Sequence, residues 1–161
     1  MNRTISAFSV VAVLTGLLMA LGFGLQIKGY GFGALGNERL DGLAGSASFI
    51  PLAAIYALAA MLIMIAPLRM AGLVHAYGAV PLYSCALVLF AAITGVQAAR
   101  FAFGQTDALW VLVDWQFIFA LAILAVHIGL DTLRRNLLLR TLSFIAFAAA
   151  TLACLYWTFQ F

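Results

Sequence analysis

Long stretches without a charged residue dominate this sequence and restrict how the chain can fold. A helix needs about 20 apolar residues to cross the hydrocarbon core of a bilayer. Five uncharged runs occupy residues 4–27, 42–68, 70–99, 115–130 and 141–161. Four of these runs are long enough alone, and the fourth run needs the preceding turn, 108–114, to reach across. The sequence therefore predicts an all-α integral membrane protein, a bundle of five transmembrane helices joined by short loops.

These spans leave no room for a second domain. We place them at about 5–27, 48–66, 70–99, 108–130 and 139–160, with an outward glycine-rich loop at 28–47, and treat 1–161 as a single transmembrane domain. The first run resembles a signal peptide, but it exceeds the 7 to 15 apolar residues typical of one, so we expect it to be retained. A soluble catalytic domain of about 100 residues does not fit between the spans.

The composition also narrows the function. Of the residues, 66% are hydrophobic and 8% are charged, and the net charge of +3 is dispersed, which argues against a nucleic-acid surface. The sequence contains no Ser-His-Asp set, no paired carboxylates and no cluster of Cys and His residues typical of a metal site. We therefore expect no catalytic residues, no metal and no enzyme activity of its own.

The basic residues indicate an orientation. Five arginines lie on one side of the predicted bundle, namely Arg3, Arg69, Arg134, Arg135 and Arg140. The other side carries Lys28, Arg39 and Arg100. Because short cytoplasmic loops are enriched in Lys and Arg, we expect the N-terminus in the cytoplasm and the C-terminus outside, in a bacterial inner membrane. The tryptophans and Tyr30 and Tyr156 then form an interfacial belt near the outer face.

The longest connection is rich in glycine. Residues 28–48 contain six glycines and the charged residues Glu38, Arg39 and Asp41. Glycine at this density disfavours a long helix, so we expect an outward loop with at most a short helical turn at 37–42. Its glycines lack the Lys-Ser/Thr of a phosphate-binding loop, which argues against nucleotide binding. This loop is a candidate surface for a partner protein.

Small residues recur at helical spacing within the spans. Examples are Ala20 and Gly24, Ala53 and Ala57, and the alanines between 146 and 153. Since helices in lipid associate through close contact between small residues, such stripes predict packing within the chain or against another subunit. The leading hypothesis is a non-catalytic subunit that packs with partner proteins, or with copies of itself, in a larger membrane complex for transport or electron transfer, surrounded by membrane lipid.

Two histidines are candidate site residues inside the spans. His75 near the start of the third span and His127 near the end of the fourth should lie at similar depth, where they can face one another. The simplest interpretation is a local hydrogen bond, for which Asp131, one turn after His127, is available. Alternatively, the pair provides the axial ligands of one haem b, flanks a quinone head group, or carries protons.

Four more polar residues lie within the predicted spans. They are Gln97, Arg100, Asp114 and Gln116. We expect an ion pair between Arg100 and Asp114 near the outer face, because pairing offsets part of the cost of burying each charge. A small transporter or channel that uses Arg100, Asp114 and Gln116 as a polar path is the third hypothesis. Pro81 should kink the third span, with Gly78 easing the bend.

Overall fold

The computed structural model of the chain describes residues 2–44 and 49–159, and the regular elements in these ranges are helical. The α-helices are α1 (Asn2–Ile27), α2 (Gly31–Ala44), α3 (Phe49–Ile65), α4 (Leu68–Val74), α5 (Val80–Ala102), α6 (Trp115–Arg135) and α7 (Leu137–Phe159). A π-helical turn, His75–Ala79, joins α4 to α5 without a break, and a 3-10 helix, Thr106–Val113, precedes α6.

Helix length and composition support a multi-pass membrane protein. Within the described ranges, four helices are long and apolar enough to cross a bilayer, and they cover Arg3–Ile27, Leu68–Ala102, Trp115–Arg135 and Leu137–Trp157. The remaining predicted span, 48–66, corresponds to α3, an apolar helix of 17 residues. The all-α membrane class is therefore confirmed, with four candidate spans where we predicted five.

The glycine-rich connection is not a loop. Over Gly31–Ala44 it forms α2, a helix of 14 residues that packs against α1, so the prediction of a loop was wrong there. The glycines explain this packing. A Cβ atom at Gly33 would lie 2.6 Å from the carbonyl oxygen of Gly22 and 2.9 Å from the backbone nitrogen of Gln26, so only glycine permits this approach. Close contact between two helices outweighs the low helix propensity of glycine.

The fourth span begins later than predicted. Residues 108–113 belong to the 3-10 helix, and α6 begins at Trp115, with the Asp114 carbonyl accepting the first helical hydrogen bond from Ile118. Asp114 therefore precedes α6, in an extended conformation (φ −73°, ψ 139°), and the prediction that it lies within the fourth span was wrong. At the other end, a single residue, Asn136, separates α6 from α7 and caps α7 through its side chain.

The chain divides into two compact units, Met1–Ser46 with Leu87–Ile118 and Ala47–Ala86 with Phe119–Phe161. In the first unit, α1 meets the later part of α5 where two glycines face each other. A Cβ atom at Gly16 would lie 3.2 Å from the carbonyl oxygen of Gly95, and one at Gly95 would overlap with the Ala12 oxygen and Thr15 Oγ1. These two helices therefore touch through their backbones.

In the second unit, the most extensive contact is between α3 and α7. The small-residue face of α3 is buried as predicted, with Ala53 and Ala57 at most 7% exposed and Ala60 fully buried. The alanines of α7 behave differently. Its buried face consists of Ser143, Phe147, Thr151 and Cys154. By contrast, Ala146, Ala149, Ala150 and Ala153 are exposed.

Candidate functional site

The second unit brings the two histidines of the chain together. His75 lies at the start of the π-helical turn, and His127 lies eight residues before the end of α6. Their ring centroids are 5.3 Å apart and their planes differ by 9°. At a rise of 1.5 Å per residue, each histidine is about 10 to 12 Å from the helix end that carries the arginines. The two rings therefore meet at matched depth, well inside candidate membrane spans.

Two tyrosines complete this cluster, which we call the His–Tyr cluster (Tyr56, His75, Tyr83 and His127). The hydroxyl of Tyr56, on α3, lies 3.0 Å from Nδ1 of His127. The ring of Tyr83, on α5, stacks on His127 with centroids 4.1 Å apart and an interplanar angle of 13°. Three helical segments therefore converge on one imidazole.

Burial makes these contacts consequential. Tyr56 is only 3% exposed, whereas His75, Tyr83 and His127 are half-buried. A tyrosine hydroxyl buried in an apolar core needs a hydrogen-bonding partner, and the imidazole of His127 supplies it. This hydrogen bond couples the protonation of the imidazole to the hydroxyl. Nδ1 accepts the hydrogen bond from the hydroxyl when it is unprotonated, and donates the hydrogen bond to the hydroxyl oxygen when it carries a proton.

Arg134 fixes the neighbouring end of this unit. Its guanidinium donates a hydrogen bond of 3.1 Å to the carbonyl oxygen of Ala66, just beyond the C-terminus of α3. Such a carbonyl has no partner within its own helix, and a cationic donor there also favours the helix dipole. The end of α6 is thereby tied to the end of α3, which holds Tyr56 and His127 in register.

The expected local partner of His127 is not the one observed. Within the described part of the chain, His127 hydrogen-bonds to Tyr56, on another helix, and not to Asp131. Asp131 is exposed, one turn closer to the arginine-bearing end of α6. The cluster thus has an acidic residue between it and that end of the helix.

The geometry does not fit a bis-histidine haem. Iron bonds of about 2 Å to each imidazole would place the ring centres about 6 Å apart, with the porphyrin plane between them. The observed separation is 5.3 Å, and the ring of Tyr83 already lies against His127. The two rings are therefore too close to hold a haem between them. No group of three or more metal-ligating side chains occurs among the described residues either.

The other predicted polar residues lie in the first unit. Arg100 forms an ion pair with Asp41 of α2 at 2.8 Å, and its Nε donates to Gln105 at 2.8 Å. The predicted partner, Asp114, is not in ion-pair contact with it, so that pairing was wrong. Sequence reasoning missed Asp41 because it treated this segment as a loop.

A polar cavity of about 480 Å³ adjoins this ion pair. Its polar lining residues are Asp41, Gln97, Arg100, Asp107 and Asp114, beside Trp110. Gln97 contributes a side-chain oxygen that is buried without a hydrogen-bonding partner in the described structure. Gln116, in the first turn of α6, does not line this cavity. Gln97, Arg100 and Asp114 therefore come together at this cavity, and the polar path through Gln116 stays a prediction.

Tyr56 and Tyr83 are the site residues that sequence reasoning missed. Tyrosine prefers the membrane interface, so a tyrosine in the middle of an apolar helix such as α3 is a signal that its hydroxyl has a partner. Tyr83 gave no such signal, because in a regular helix it does not share a face with His75.

Comparison of the chain with protein-family models, with curated proteins and with solved structures finds no match.

Proposed function

We propose that this chain is a multi-pass membrane subunit that exchanges protons with one face of the membrane through the His–Tyr cluster. The observation that carries the proposal is the pair of imidazoles, 5.3 Å apart, inside candidate membrane spans. Ionisable side chains are costly at that depth and usually serve proton or substrate pathways. Histidine is the side chain that gains and loses a proton near neutral pH.

The spacing of the pair indicates how it would work. Two positive charges 5.3 Å apart repel by about 3 kcal/mol at an effective dielectric constant of 20. The pair therefore takes up protons in two separate steps, because the first positive charge opposes the second. Tyr56 holds His127 in place while this happens. Asp131 lies towards the arginine-bearing end, where it would connect the pair to water.

The chain has only two histidines, which makes the proposal directly measurable. With 15N-labelled imidazoles in nanodiscs, we expect two separate protonation steps over about pH 4 to 9, a range that brackets the usual histidine pKa. His75→Gln should leave a single step at His127, since its charged neighbour is gone.

Lipid extracts of the same samples would show whether a quinone is bound in stoichiometric amounts and whether it is lost in His75→Gln. A quinone is the ligand that would connect the pair to electron transfer.

Tyr156→Phe serves as the control, because this exposed tyrosine lies outside the cluster and should leave both steps unchanged. Imidazoles that stay in one protonation state over the whole range, or that titrate independently in wild type, would refute the proton-exchange function.

We further propose that α3 crosses the membrane, which gives five spans with the N-terminus in the cytoplasm. Its 17 residues extend about 25 Å, at the lower limit for a transmembrane helix. Arg69, at the start of α4, and Arg134 and Arg135, in the last turn of α6, would then all face the cytoplasm.

Five spans predict that the termini lie on opposite faces. Alkaline phosphatase fused to the C-terminus in a bacterial host should be active, because this enzyme functions only outside the cytoplasm. Green fluorescent protein inserted at Asn136 should fluoresce, since this junction would face the cytoplasm. An inactive phosphatase combined with a fluorescent C-terminal fusion would mean an even number of spans.

The exposed alanines of α7 support a role within a larger assembly. Ala146, Ala149, Ala150 and Ala153 follow the spacing i, i+3, i+4, i+7 and so share one helix face. Small residues at this spacing let another transmembrane helix approach closely. We propose that this alanine face packs against a partner helix, in a complex for transport or electron transfer.

A further inference from the structure

The helix that carries His75 has an irregular turn. Over His75–Ala79 it is π-helical, and the N–H of Val80 bonds to the carbonyl oxygen of His75, five residues back. Pro81 follows directly. Proline has no N–H to give to the carbonyl of Tyr77, and its ring collides with that carbonyl in a regular α-helix. A π-helical turn, which holds one extra residue, relieves this conflict.

The extra residue changes which side chains share a face. His75 and Tyr83 are eight residues apart, and in an uninterrupted α-helix they would point about 80° apart. Both nevertheless lie against the ring of His127, with centroids at 5.3 Å and 4.1 Å. With one additional residue in the π-helical turn, the eight residues from His75 to Tyr83 complete about two turns. The two side chains therefore point in the same direction.

The buried alanines of the same helix show this shift independently. Ala71, Ala79 and Ala86 are each fully buried. Ala71 precedes the π-helical turn and Ala79 is the last residue of that turn, eight residues later, whereas Ala86 follows Ala79 by seven residues in α5. The buried face therefore advances by one residue at this turn, as the histidine does.

We propose that Pro81 is a positioning residue: it imposes the π-helical turn and thereby places His75 beside His127. Pro81 itself contacts neither a proton nor a ligand in this role. The inference concerns how the His–Tyr cluster is assembled, and it stands or falls separately from the proton-exchange function.

Cysteine crosslinking in the full chain tests the register. Cys85 and Cys154 are first replaced by alanine, and pairs of cysteines are then introduced at 75 and 127 or at 83 and 127. With a short bifunctional thiol reagent, both pairs should crosslink. Pro81→Ala should slow the crosslink between 75 and 127 at least tenfold, because a regular helix turns position 75 away. The pair 83 and 127 should still react, since Tyr83 follows the turn. Mass spectrometry of the linked peptides gives both rates.

A deletion provides the rescue. Removing the exposed Ala76 from the Pro81→Ala variant leaves positions 75 and 83 seven residues apart, a spacing that aligns them in a regular helix. The crosslink between 75 and 127 should then return to within twofold of its original rate. An unchanged rate in Pro81→Ala alone would overturn the proposal. The proposal would also be overturned if the deletion did not restore the crosslink between 75 and 127. This includes the case in which neither variant folds and the crosslink between 83 and 127 is lost as well.

Discussion

Gly95→Ala is expected to destabilise the protein by about 1 to 3 kcal/mol, although it adds only one methyl group. The new Cβ would overlap with the carbonyl oxygen of Ala12 and with Thr15 Oγ1 on α1. Backbone atoms cannot rotate away as a flexible side chain can. Thr15 is also held by its hydrogen bond to the Val11 carbonyl, at 2.8 Å. The helices α1 and α5 must therefore separate, which removes the close contact that joins them.

The same substitution at Gly36 is the matched control. Gly36 lies in the first unit, within α2, and a Cβ there would meet no atom within 4 Å. Since alanine is a better helix former than glycine, Gly36→Ala should raise the stability by about 0.5 to 1 kcal/mol. Both variants are compared with wild type by unfolding in mixed detergent micelles. Equal effects of the two substitutions would contradict the contact between α1 and α5.

The candidate membrane-spanning helices could be predicted because lipid imposes a simple rule. In lipid, a single apolar segment satisfies all of its backbone hydrogen bonds by forming a helix, whatever other helices surround it. The rule was less accurate for α3, which has 17 residues and is shorter than the span predicted at 48–66. It also gave the wrong start for α6, where residues 108–113 form a 3-10 helix of apolar composition.

The helix α2 could not be predicted from its glycine-rich composition. Glycine lowers helix propensity, but it also removes the Cβ that keeps two backbones apart, and a single sequence does not tell which effect dominates. At Gly33 the second effect dominates because Gly22 faces it on α1. Once α2 is a helix, Asp41 comes within 2.8 Å of Arg100, and the predicted pair with Asp114 is replaced.

Of the His–Tyr cluster, the sequence predicted the two histidines but not the two tyrosines, for a similar reason. Counting residues from the ends of two antiparallel helices gave matched depths for His75 and His127 without any knowledge of packing. By contrast, Tyr56 belongs to a third helix whose rotation is set by tertiary contacts. Tyr83 does not share a face with His75 at the regular spacing of 100° per residue, and this spacing fails across the π-helical turn.

The alanine face of α7 (Ala146, Ala149, Ala150 and Ala153) is expected to control assembly. Ala150→Leu should abolish the complex that the wild-type protein forms in mild detergent, because a branched side chain at the centre of this face keeps a partner helix at a distance. In lipid, little hydrophobic driving force compensates for lost contact between helices. The reduction in association should reach at least tenfold, measured by native mass spectrometry and by crosslinking in the native membrane.

Leu155→Phe is the control, since Leu155 is 39% exposed but lies at least 120° around α7 from each residue of the alanine face. It adds volume to the same helix without entering the alanine face, so the complex should persist. The mass of the wild-type assembly separates two cases, because a multiple of 17.2 kDa indicates copies of this chain and any other mass indicates a different subunit. A wild-type protein that is monomeric both in the membrane and in detergent would refute the assembly, while the contacts of the His–Tyr cluster, which lie within one chain, would be unaffected.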